Sequence, residues 1–243
     1  MWTVFNKEIS SFFSLLIAYI VIGIFILILG LLMWVFPDFS ILYFNYASLD
    51  QLFNVAPLLF LFIVPALCMR TFSEEIHLGT LESLLTKPLS EVQIVLGKFL
   101  ACLTMTLICL LPSLFYFYSV YQLGAPKGNI DIGAVLGSYL GLVFLAASFV
   151  SIGVFSSAIS KNQVSAFLIA ILLSFAFYYG FFYISKLPIF FGRIDDIIQR
   201  FGMDYHYNSI SGGKLDSRDL IYFISIIFLF NWLSFIWIKN RLF

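Results

Sequence analysis

Three cysteines, two histidines and one Gly-Gly-Lys step are the features of this 243-residue chain that invite a chemical reading. Cys68, Cys102 and Cys109 lie in charge-free runs with no C-x-x-C spacing. Cys102 and Cys109 are seven residues apart, roughly 10 Å along a helix, which is too far for a disulfide within it. They read as small apolar packing residues. His77 and His206 are expected on opposite membrane faces and so cannot share a metal. His206 with Asp204 falls short of a full ligand set, and a lone loop histidine reads as polar surface, so no metal site is expected. Ser211-Gly212-Gly213-Lys214 superficially resembles the signature loop of an ATPase, but no G-x-x-x-x-G-K-[ST] phosphate loop occurs in the chain. G-x-S-x-G, H-E-x-x-H and paired intramembrane aspartates are also missing from the sequence. No catalytic residue and no cofactor of the chain's own is expected, and any nucleotide hydrolysis must come from a different polypeptide.

The densest polar chemistry lies in residues 70–98, RTFSEEIHLGTLESLLTKPLSEVQIVLGK. Thr71 with Glu74 fits a capping box, so a short helix is expected to start there. Gly79 stops it, and Thr80 can cap a second helix from Leu81 to Lys87, ended by Pro88. Leu81, Leu84 and Leu85 form one apolar face, and Glu82 sits in the first turn, where the helix dipole favours a carboxylate. Ser90 with Gln93 caps the helix that follows. The leucine face is expected to need a partner or the membrane surface to cover it.

The elements that must hold this segment are membrane spans. Hydrophobic residues make up 62% of the chain and charged residues 11%, against about 25% in soluble domains, too few to form a water-facing surface of this size. Net charge is zero, which gives no basic field for nucleic acid. Runs without Asp, Glu, Lys or Arg cover 9–37, 51–69, 99–126, 132–160, 162–185 and 220–238. Each is long enough for a spanning helix, and helices alone satisfy their backbone in lipid without closing into a barrel. The expected fold is all-α with six transmembrane helices, in one transmembrane domain over 1–243. The first run follows a single Lys7, has no small-residue cleavage site and reads as a retained span.

With the N-terminus inside, the cytoplasmic segments hold Lys7, Arg70, Lys87, Lys98, Lys161, Lys239 and Arg241, and the outside holds Lys127, Lys186, Arg193, Arg200, Lys214 and Arg218. The first outside loop has no Lys or Arg, and the long outer segment counts less, so both termini are expected in the cytoplasm. The first 13 residues carry an apolar stripe at Trp2, Phe5, Ile9 and Phe12 that continues to Leu16, as in an interfacial helix. In the outer segment, 186–219, Ile194, Ile197, Ile198 and Phe201 form an amphipathic helix, and the stretch after it reads as a loop. Gly133, Gly137 and Gly141 form overlapping G-x-x-x-G units for close helix packing, within the subunit or between subunits. The charge-free runs carry no carboxylate, Lys, Arg or His, which argues against ion-coupled carriage, although Pro57, Pro65 and Pro112 free backbone carbonyls.

The loop resembles the first cytoplasmic loop of type-2 ABC transporter permeases: Arg70, then Glu74 and Glu75, then Gly79-Thr80-Leu81-Glu82 with Leu84, Leu85 and Pro88, and a Gly97-Lys98 pair entering the third span. The stretch DYHYNSISGGKLDSRDLIYF, residues 204–223, is similar to permease subunits of gliding-motility ABC transporters. The resemblance implies the type-2 ABC exporter permease fold in a bacterial inner membrane, paired with a second identical or different permease chain and bathed in lipid. It implies two cytoplasmic ABC ATPase subunits beneath, carrying the ATP and magnesium. Glu74, Glu75, Gly79, Thr80, Leu81, Glu82, Leu84, Leu85 and Pro88 would be the ATPase-coupling residues, with the three glutamates paired to basic residues of the ATPase. Ile194, Ile197, Ile198 and Phe201 would form an outer gate helix. A structural or anchoring subunit of an envelope or motility machine, using the same docking surface without transport, is the alternative.

Overall fold

The computed structural model describes residues 1–14, 16–38, 40–44, 47–86, 88–190, 192 and 194–241, and only the backbone of Ile17, Tyr43, Phe44, Ser83 and Leu85. Among the described residues every regular element is helical. In chain order they are α1 (Trp2–Ser14), α2 (Leu16–Trp34), α3 (Ile41–Phe44), α4 (Asp50–Cys68), α5 (Ser73–His77), α6 (Leu81–Leu85), α7 (Glu91–Leu110), α8 (Ser113–Leu123) and α9 (Ile132–Ile159). Then come α10 (Gln163–Phe175), a π-turn (Ala176–Gly180), α11 (Phe181–Ser185), α12 (Asp195–Gln199), α13 (Met203–Ser211) and α14 (Ser217–Lys239).

Five helices are long and apolar enough to cross a membrane: Asp50–His77, Glu91–Leu123, Ile132–Ile159, Gln163–Ser185 and Ser217–Lys239. The chain is therefore a multi-pass membrane protein. Trp2–Ser14 and Ala18–Trp34 form a pair bent by 69°, which adds a sixth span if the two are counted together. The second of the five is interrupted at Pro112, between α7 and α8, where proline supplies no N–H and crowds the carbonyl four residues back.

The bundle is organised around α9. Its Ser148, Ser151, Gly153, Ser156 and Ser157 are fully buried or nearly so, and α4, α7, α10, α13 and α14 all pack on it. The tightest approach is at Gly153, where an added Cβ would lie 2.6 Å from Cys68 Cβ on α4. Small side chains permit this closeness, and the hydroxyls of Ser148, Ser151 and Ser156 bond back into their own helix, as Ser156 does to Ile152. The periphery is different: 78% of the apolar window of Ile132–Ile159 is buried, against 17% for Gln163–Ser185, so the latter turns most of its surface outward.

Two expectations change. The 203–211 stretch is a helix rather than a loop, because Met203, His206, Tyr207 and Ile210 at i, i+3, i+4 and i+7 form a buried stripe. The Thr71–Glu74 capping box does not form: the Thr71 hydroxyl donates to the Cys68 carbonyl, and Glu74 turns to Arg70. The buried face of α1 is Val4 and Glu8, and Trp2 is 66% exposed. At α7 the Ser90 hydroxyl accepts from the Gln93 N–H, as the spacing suggests.

Candidate functional site

Where the 70–98 loop meets the bundle, full charges are gathered out of water. Lys98, the second residue of the Gly97-Lys98 pair, is 1% exposed. Its Nζ lies 2.8 Å from Glu8 Oε1 on α1 and 3.0 Å from Glu75 Oε2 on α5, and it also donates to the Thr71 carbonyl. The Glu75 contact is ionic rather than an aligned hydrogen bond, since Oε2 otherwise has no hydrogen-bond partner. The ammonium also sits 4.8 Å from the centre of the Phe72 ring. Glu75 Oε1 takes a second lysine, Lys7 of α1, at 2.8 Å. Two lysines thus balance two glutamates, the condition under which buried charges are tolerated.

Gly97 makes the meeting possible. An added Cβ there would lie 3.0 Å from Val4 Cβ and 3.2 Å from the Met1 carbonyl, so α1 crosses α7 over this glycine. One turn further along α1, Glu8 reaches Lys98. Neighbouring residues in sequence thereby do complementary work: one admits the helix and the next bonds it.

The loop is fastened to the bundle by a side chain that sequence reasoning passed over. Ser157 Oγ accepts from the N–H groups of Phe72 and Ser73, both at 3.0 Å, and donates to the Met69 carbonyl at 3.0 Å. A helix start needs acceptors for its free N–H groups, and here α9 supplies one in place of a local cap. Arg70 grips Glu74 with a bidentate pair at 2.8–2.9 Å. Gly79 ends the segment in the left-handed region, φ +68°. The Thr80 side chain makes no cap bond to α6, and its hydroxyl turns back toward the Glu75 carbonyl at 3.4 Å.

The predicted coupling residues therefore separate into two groups. Leu81 and Leu84 are 6% and 8% exposed and join the chain's own core, which corrects the expectation of a leucine face awaiting a partner. Glu74 and Glu75 pair within the chain, Glu74 with Arg70 and Glu75 with Lys7 and Lys98. The outward group is His77, Leu78, Gly79, Thr80, Glu82 and Pro88, with Leu78 65% exposed. The Leu85 side chain and Lys87 lie outside the described residues.

The opposite end of the bundle is built differently. From Ser157 back to Gly141 along α9 is roughly 24 Å, and there α13 lies across the helix. A Cβ at Gly141 would lie 2.9 Å from Ile210 Cγ2, and one at Gly137 would lie 3.8 Å from the Ile210 carbonyl, whereas Gly133 faces only Asp131 of its own turn. Tyr207 donates to the Phe53 carbonyl of α4 at 2.6 Å. Phe53 is four residues before Pro57, which has no N–H to give it, so the tyrosine completes a bond that proline left open. His206, far from being loop surface, is buried between α13 and α14 and pairs with Asp219 rather than Asp204. α12 is only five residues long; Ile194, Ile197 and Phe201 are exposed and Ile198 is half-buried.

A cavity of about 540 Å³ opens between α13 and the π-turn, lined by Tyr178, Phe182, Asp204, Tyr205, Asn208 and Lys214 among others. Burial pushes the Asp204 carboxyl above its ordinary value, partly offset by hydrogen bonds from Asn208 and Tyr178. Among the described residues no three His, Cys, Asp or Glu side chains converge as metal ligands would. The loop residues and the α12 residues lie at different ends and do not form one site.

Residues 38–236, well over half of the chain, match the family model described as ABC-2 family transporter protein. No curated protein matches the chain.

Proposed function

The chain belongs to the ABC-2 family of transporter proteins and is a permease subunit of an ABC transporter, and we propose that it serves an ATP-driven exporter whose ATPase docks on the tip of the 70–98 loop. The observation that carries this reading is the division of the loop. Leu78, Gly79, Thr80 and Glu82 face outward, while Ser157, Lys98 and Lys7 bind the base of the loop to α9, α7 and α1. A tip pressed by a moving partner passes that motion to three helices together, because their junction has no slack. Leu81 and Leu84 contribute from inside, as the packing that keeps α6 seated.

In this reading ATP and magnesium belong to the cytoplasmic ATPase subunits and this chain binds neither. A second permease chain, a copy or a homologue, covers part of the outward-facing 163–185 helix, and lipid covers the rest. The bent pair counts as one span preceded by an interfacial helix, giving six spans in a bacterial inner membrane with both termini cytoplasmic. The 194–201 segment shapes the exit. The likeness of residues 204–223 to gliding-motility permeases supports a place in that machinery. No contact with nucleic acid is part of the reading.

Co-purification from the native membrane tests it. An ABC ATPase is expected with the wild-type chain and not with Leu78→Arg or Glu82→Lys, both of which should still fold. Equal recovery of the ATPase with these variants would sink the docking assignment. ATPase recovered intact with no cargo-stimulated hydrolysis would favour an anchoring subunit over an exporter.

A further inference from the structure

Both ring nitrogens of His206 face oxygen atoms that accept. Nδ1 is 2.7 Å from Asp219 Oδ1, and Nε2 is 2.8 Å from the Arg200 carbonyl oxygen. A neutral imidazole has one N–H and one lone pair. If the N–H points to a carboxylate, the lone pair opposes the carbonyl at 2.8 Å, and if it points to the carbonyl, the lone pair opposes the carboxylate. Both contacts hold only when the pair carries one further proton, either on the ring as imidazolium or on Asp219 as a carboxylic acid donating to Nδ1.

The surroundings suit that proton. Tyr222 stacks on the imidazole with centroids 4.0 Å apart and planes at 22°, an arrangement that favours a cationic ring. The pair is nearly dry, with Asp219 4% and His206 9% exposed. Among the described residues Asp219 Oδ2 is buried without a hydrogen-bond partner, and Oδ1 is held by His206. The titratable groups touching the ring are Asp219 and Tyr222 of α14 and Tyr205 of its own helix, edge-on at 5.3 Å. α9 and the π-turn, which also pack on α13, contain no charged residue.

The bonds join three elements. Arg200 follows α12, His206 is on α13 and Asp219 opens α14, and Tyr222 adds a hydrogen bond to the next carbonyl, that of Phe201, at 2.6 Å. Gln199, Gly202, Asp204 and Tyr205 of this same stretch line the cavity beside the π-turn. We infer that His206 and Asp219 form a proton-binding site that fastens the wall of this cavity to the last span when occupied and frees the Arg200 carbonyl when empty. Proton occupancy at this end of the bundle therefore sets whether the Arg200 carbonyl at the end of α12 is tied to the imidazole of α13.

Hydrogen exchange on the full chain in lipid nanodiscs tests this, with rates corrected for their intrinsic pH dependence. From about pH 5 to about pH 9, amides of residues 198–207 should lose protection about tenfold, the scale of one charge-assisted hydrogen bond, while α9 stays unchanged. His206→Gln and Asp219→Asn should each abolish the step. Asp204→Asn removes the neighbouring carboxyl and should preserve it. Wild-type protection that is flat with pH overturns the inference even if a variant fails to fold, and so does a step that vanishes in Asp204→Asn or survives in a folded His206→Gln.

Discussion

At one end of the bundle α1, the loop and α7 are joined by full charges, with Lys98 between Glu8 and Glu75 and Lys7 closing the ring. At the other end α13 is joined by side chains that complete backbone groups, with Tyr207 on the Phe53 carbonyl and His206 on that of Arg200, and by the buried His206–Asp219 pair. Removing one member of a buried ion pair leaves an uncompensated charge, whereas removing a hydroxyl leaves one unsatisfied carbonyl. The loop end is thus stiff and intolerant, suited to passing a push along. The far end is fastened by separate, smaller interactions beside a cavity of about 540 Å³, suited to opening in steps.

The comparison can be broken most severely at Lys98. Lys98→Met should destabilise the chain by about 3–5 kcal/mol, read as a lowered Tm, with much of the loss recovered when Glu8→Gln and Glu75→Gln are added. Tyr207→Phe should cost about 1–3 kcal/mol through the stranded Phe53 carbonyl. Hydrogen exchange should place its effect on α13 and α4 and leave the loop protected. Gly141→Ala comes next: the methyl would lie 2.9 Å from Cγ2 and 3.3 Å from Cβ of Ile210, a β-branched side chain stiff at χ1 in a helix, and a loss of about 1–3 kcal/mol is expected, seen as faster exchange in α13.

The smallest effect is that of Asp204, whose carboxyl burial holds above its ordinary value. The folded state therefore binds this proton more tightly than the unfolded chain. Its contribution is fully present below about pH 4 and lost as pH rises through the folded value. Asp204→Asn should flatten that part of the Tm-against-pH curve without moving the loop end.

The sequence made the two ends legible to different degrees. The loop could be located because Gly79, Pro88 and Ser90 are local punctuation, and local rules govern where short helices stop and start. Its internal wiring could not, because Glu8, Glu75 and Lys98 come together across 90 residues and no spacing rule links them. The burial of Leu81 and Leu84 was hidden for the same reason: an apolar face shows that something covers it and not what does. α13 was misread because Asp204, Tyr205, Asn208 and Ser209 suggest a loop, although the stripe Met203, His206, Tyr207 and Ile210 was there to be counted. Two further signals were available in principle: Pro57 requires a donor for Phe53, and small residues around Gly153 mark the closest helix approach. The long apolar runs carried the span assignment because lipid imposes one rule on every residue in them.

The account turns on the loop tip being the docking surface and the loop base being its rigid mount. The most direct test is the hydrogen-exchange footprint of the bound ATPase on the full chain in nanodiscs. Protection is expected at residues 77–82, with the 203–211 helix unchanged when no nucleotide is present. A footprint that misses the tip, or falls instead on the α13 end, would contradict it.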